Sequence, residues 1–113
     1  MDEDQTLHET QSLIQRQFEL DTPEDKSHSE VDFTELLANR IGWMIEHDIE
    51  LLFSTLYRMD VSEEAVAQAM HPNAPELANL GLARLVLQRQ KQRVETKRSY
   101  RQPPIDEDGE WEW

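Results

Sequence analysis

The chain contains no cysteine, which removes disulfide staples, thiolate zinc sites, iron–sulfur clusters and thiol nucleophiles and leaves packing as the source of stability. Glycine is scarce, occurring at Gly42, Gly81 and Gly109, so no glycine-rich phosphate loop exists. No segment alternates apolar and polar residues between turn signals, so no sheet is expected. Apolar runs fall far short of the roughly 18 residues of a membrane span. The opening Met1-Asp2-Glu3-Asp4 is acidic where a secretory signal starts basic. Together these absences predict a cytoplasmic protein that does not associate with membranes.

What the chain does have is charge and helical periodicity. It carries a net charge of −13 over 113 residues. Of the 42 apolar residues, 32 fall between Val31 and Arg98, so residues 31–101 read as the helical domain. Residues 1–30 read as an acidic helical arm and linker, and residues 102–113 as an acidic, tryptophan-containing tail expected to be disordered. A core this small is marginal on its own, which makes self-association or folding on a partner an expectation.

The predicted class is all-α, a small bundle of three to four helices. Phe33, Leu37, Ile41, Met44, Ile45, Ile49, Leu52, Leu56 and Met59 recur at threes and fours, predicting one long helix over Val31 to Met59. Asp60 or Ser62 then caps a short helix that ends before His71-Pro72 and buries Ala65, Val66, Ala69 and Met70. A long C-terminal helix is expected from Pro75 to Tyr100, apolar almost all round in its first half, Leu77 included, and polar from Gln88 to Arg98 except for Val94. Ahead of the domain, Leu7, Ile14 and Phe18 share one side of a segment running from Asp4 to Leu20. That segment reads either as a partly disordered arm or as a helix docked on the domain.

The acids and bases are segregated. Residues 84 to 101 hold seven cations and one acid, whereas residues 1 to 50 hold fourteen acids and three cations. Arg89, Lys91, Arg93, Lys97, Arg98 and Arg101 form the candidate basic surface. At 100° per residue they scatter around the helix, so nucleic acid is an unfavoured partner, and a docking surface for acidic chain, including the protein's own tail, is the stronger reading.

Several other residues stand out. Asp48 falls inside the apolar stripe, and Arg84 falls among Leu77, Leu80 and Leu87, which suggests a buried Asp48–Arg84 pair between helices. The alternative is a helix that turns or bends until Asp48 reaches water. Leu36, Trp43 and Tyr57 fall on a seven-residue repeat with Glu50 in the missing place and, with Phe53, form a second apolar face suited to a homodimer. The N-terminal helix lying over that stripe is the competing arrangement. In the tail, Ile105, Trp111 and Trp113 among five acids have the make-up of a short docking motif for a groove with a basic rim. No metal site, cofactor or catalytic constellation is expected: His8, His28, His47 and His71 lie in separate segments, and no serine has an identifiable base.

At Leu56-Tyr57-Arg58-Met59-Asp60-Val61-Ser62-Glu63, at Leu85-Val86-Leu87-Gln88-Arg89-Gln90, and at Arg98-Ser99-Tyr100-Arg101, the chain resembles a group of short bacterial helical proteins with no assigned function. The resemblance spans Val31 to Trp113 and implies domain limits, with no activity or site residues attached. The expected function is a non-catalytic protein-interaction module, an adaptor or small regulatory subunit of unknown partner. The alternatives are nucleic-acid binding through the basic helix and an acidic inhibitor or DNA mimic acting on a basic protein.

Overall fold

The computed structural model describes residues 2–20 and 29–100, with backbone alone for 2–4 and 98–100. All regular structure among them is helical: α1 (Asp2–Phe18), α2 (Glu30–His47), α3 (Ile49–Arg58), α4 (Glu63–Ala69) and α5 (Ala78–Tyr100). The all-α class holds, with five helices where periodicity predicts three or four. The expected tail lies outside the described residues.

The additional helix arises at Asp48, which divides the predicted long helix in two. Asp48 leaves helical geometry at φ −157°, ψ 67°. Its N–H closes α2 on the Met44 carbonyl at 2.8 Å, and its Oδ1 accepts from the Leu51 N–H at 3.3 Å as the N-cap of α3. A continuous helix would carry this carboxylate into the apolar stripe, where an unpaired charge is strongly disfavoured. The break instead leaves it exposed and lets it satisfy an otherwise unpaired helix N–H. The buried Asp48–Arg84 pair is therefore not formed. Arg84 lies at the surface, with its Nε 3.1 Å from both carboxylate oxygens of Glu76.

The other helix ends follow local rules. Ser29 caps α2 by accepting from the Asp32 N–H at 3.1 Å, and Ser62 caps α4 through the Ala65 N–H at 3.2 Å. Both α1 and α3 end with a left-handed residue, Glu19 at φ 53° and Asp60 at φ 66°. In each case the next residue donates back into the helix, Leu20 to Gln15 and Val61 to Leu56, which is the six-to-one bond of a Schellman motif. The last helix starts later than predicted. Pro75 and Glu76 precede it, the Leu77 carbonyl accepts the first bond from Gly81, and Leu77 itself is 75% exposed.

The core is assembled from α2 (Phe33, Leu37, Ile41, Met44), α3 (Leu52, Leu56, Met59) and α5 (Leu82, Ala83, Val86, Leu87). α1 is a docked helix and adds Ile14 and Phe18 to the same core. It packs chiefly on α5 and also on α2, and does not lie over Trp43 and Tyr57, both of which remain exposed. Its remaining buried positions are polar, Thr6, Thr10, Gln11 and Gln15, so Ile14 and Phe18, at roughly 1.5–3 kcal/mol each, are its fully buried apolar anchors, with Leu13 and Leu20 packed partly buried beside them. This arrangement also explains why the second half of α5, with Val94 as its single apolar residue, buries a face.

Asp48→Ala is expected to destabilise the fold by about 1 kcal/mol through loss of the cap, with Asp48→Asn close to neutral. Combining it with Arg84→Ala should give additive effects within about 0.5 kcal/mol in urea unfolding. A larger coupling would show that the two side chains interact. Glu19→Gly should raise stability by about 1 kcal/mol by relieving the left-handed strain, read as a rise in Tm.

Candidate functional site

The clearest unpartnered surface is on α3. Its inner face, Leu52, Thr55 and Leu56, is buried, whereas Ile49, Phe53 and Tyr57, at i, i+4 and i+8, lie along one outer side and stay exposed, Tyr57 to 76% and Phe53 to 44%. Two apolar sides on a ten-residue helix need two packing partners, and the core provides one.

Beside this stripe, α3 and α4 enclose a groove of about 380 Å³ lined by Phe53, Leu56, Tyr57, Val61, Val66 and Met70, with Ala67 and the carboxylate of Glu63 also in its wall. The floor comes from the core-facing Leu56 and Val61. The Schellman turn at Asp60 directs the chain from α3 into α4, and the Ser62 cap fixes where α4 begins. α4 then presents Val66 and Met70, one turn apart, half-buried and half-accessible.

The turn at Asp60 is held from α5. Gln90, fully buried, donates Nε2 to the Met59 carbonyl at 2.7 Å, and Arg93 donates Nη1 to the same carbonyl at 3.0 Å and to Gln90 Oε1 at 3.1 Å. Arg89 adds an ion pair to the Asp60 carboxylate, Nη2 to Oδ2 at 2.6 Å, and Nε to the Asp60 carbonyl at 3.1 Å. The hydrogen bond from Arg89, reinforced by its charge, holds the Asp60 carboxyl below its ordinary value.

The predicted self-association residues divide between two places. Phe53 and Tyr57 meet in the groove. Leu36 and Trp43 are on α2, outside its lining, because the break at Asp48 ends the seven-residue register. Trp43 is engaged within its own helix: the Arg40 guanidinium carbon sits 5.1 Å from the ring centroid, and the His47 ring stacks at 4.5 Å with a 16° interplanar angle. Arg40 also donates Nε to the Phe18 carbonyl at 3.0 Å, tying the end of α1 to α2.

The candidate basic surface is partly used inside the fold. Arg89 and Arg93 grip the α3–α4 turn, and Lys91 approaches Glu30 at 3.8 Å. Lys97 lies in a different groove, between α1 and α5. The Arg98 side chain, Arg101, Ile105, Trp111 and Trp113 lie outside the described residues. Sequence reading missed Val61, Val66 and Met70 as groove walls; the only signal for them was an apolar face on a helix too short to bury it. Among the described residues no group of three His, Cys, Asp or Glu side chains could hold a metal ion, and no helix is long and apolar enough to cross a membrane.

Fold and surface thus define an all-helical protein with an open apolar groove at one helical corner. No protein-family model, no curated protein and no solved structure matches the chain.

Because the Asp60 carboxyl is lowered in the folded state, its ion pair contributes to stability above the ordinary carboxylate value and is lost as pH falls through the folded value. Arg89→Ala should move the Asp60 titration, followed by carboxyl-carbon NMR, back up towards 3.8. An unmoved titration would show that Arg89 is not the cause.

Proposed function

We propose that the chain is a non-catalytic protein-interaction module that self-associates through the outer face of α3 and the α3–α4 groove. One observation carries the reading: Ile49, Phe53 and Tyr57 line an exposed stripe directly beside a groove of complementary character. A ridge and a groove on one patch suit a two-fold symmetric contact, in which each copy offers its ridge to the other's groove. Tyr and Phe are the residue types that anchor interface centres. The need is energetic as well, since a core of this size gains from burying more apolar surface.

The geometry also bears on the nucleic-acid alternative. A phosphate-binding stripe needs accessible cations along one side, whereas Arg89, Lys91 and Arg93 each face an acceptor of this chain. With these cations already engaged, protein is the better-supported partner.

At tens of micromolar, sedimentation velocity is expected to show a dimer for the unaltered chain and a monomer for Phe53→Glu combined with Tyr57→Glu, with unchanged helical circular dichroism. Trp43→Ala should leave the dimer intact. A monomeric unaltered chain, or a dimer insensitive to the double substitution, would overturn the assignment of this face.

A further inference from the structure

A second groove, between α1 and α5, differs in chemistry from the first. It encloses about 420 Å³ and is lined on one side by His8, Glu9, Ser12, Leu13 and Arg16, and on the other by Arg93, Val94 and Lys97. Leu13 and Val94 are its apolar elements, half-buried and buried respectively. Around them stand Arg16 and Lys97 and the carboxylate of Glu9, with Arg93 at the edge turned to the Met59 carbonyl and Gln90. Among the described residues, no carboxylate lies within ion-pair distance of Arg16 or Lys97. In a chain of net charge −13, a cationic groove with an apolar floor calls for an anionic occupant that also carries an apolar side chain.

The chain encodes one nearby. Beyond Tyr100, the end of α5, the sequence runs Arg101-Gln102-Pro103-Pro104-Ile105-Asp106-Glu107-Asp108-Gly109-Glu110-Trp111-Glu112-Trp113, with one isoleucine followed by five acids. At about 1.5 Å of rise per residue, Arg93 lies roughly 10 Å back along α5 from Tyr100. Residues 101–105, when extended, reach up to about 17 Å, so a return over the groove needs no stretching. A tether this short gives the acidic segment an effective concentration in the millimolar range, ahead of any free acidic peptide.

We propose that residues 105–112 occupy the α1–α5 groove of their own chain, with Ile105 over Leu13 and Val94 and the acids facing Arg16 and Lys97. The segment then neutralises Arg16 of α1 and Lys97 of α5 and braces the one helix against the other. The α3–α4 groove plays no part in this contact, which stands or falls independently of self-association.

The absence of native cysteine permits a direct test on the full chain. A nitroxide attached at Gly109→Cys, in a background of Phe53→Glu and Tyr57→Glu, should broaden the NMR signals of Leu13 and Val94 until they lose most of their intensity. Adding Arg16→Glu and Lys97→Glu, or raising salt to about 1 M where the Debye length is about 3 Å, should restore them. Asp106→Asn, Glu107→Gln and Asp108→Asn, which change no residue of α1 to α5, should restore them as well. Full intensity at Leu13 and Val94 from the outset, or broadening that survives both charge changes, overturns the proposal. So does broadening that appears only when spin-labelled and isotope-labelled copies are mixed, because the acidic segment would then be docking on a second copy.

Discussion

Asp48 stands where a continuous helix would press an ionised carboxylate into an apolar stripe, and α5 places no cation there to receive it. Desolvating such a group without a partner costs more than interrupting a helix whose two new ends can be capped by that same residue. The chain therefore stops and restarts at a single position. α2 and α3 become separate rods, α2 packed on α5 and α3 against α2, and the stripe that sequence periodicity draws as one line becomes two faces on two helices. The groove lies beyond this division, where α3 ends at Asp60 and hands the chain to α4 at its side.

The second point of control is the turn that α5 holds. A buried glutamine and two arginines converge on the Met59 carbonyl and on Asp60, so a corner built from a strained left-handed residue and a single-residue linker to the α4 cap is fixed in place. Polar groups buried in this way are most stabilising when their hydrogen bonds are satisfied, and Gln90 achieves this with both ends of its amide. The same contacts remove Arg89 and Arg93 from the pool of cations open to an outside ligand. The basic character of α5 thus serves the architecture first, and the charge that remains accessible gathers at the α1 side.

The fold and its two grooves therefore divide the labour. One corner is apolar and carries an aromatic ridge, which suits a contact that excludes water and gains from area. The other is cationic with an apolar floor, which suits an acidic segment and responds to ionic strength.

The sequence alone determined the helical class, a capping residue at Asp60 or Ser62 ahead of α4, and the inner faces of α2, α3 and the first half of α5, since these depend on periodicity and on side chains acting within a few residues. It also marked Phe53 and Tyr57 as a surplus apolar face and Asp48 as a conflict. It did not settle how the conflict would resolve, because burying a carboxylate and breaking a helix are alternatives whose energies depend on what lies opposite. Tertiary structure decided that Arg84 would turn to Glu76, that α1 would dock through a mostly polar face, that Arg89 and Arg93 would close a turn about thirty residues away in sequence, and that Val66 and Met70 would wall a groove. Each of these outcomes joins residues distant in sequence, and a local pattern records what each residue needs without recording which partner meets it.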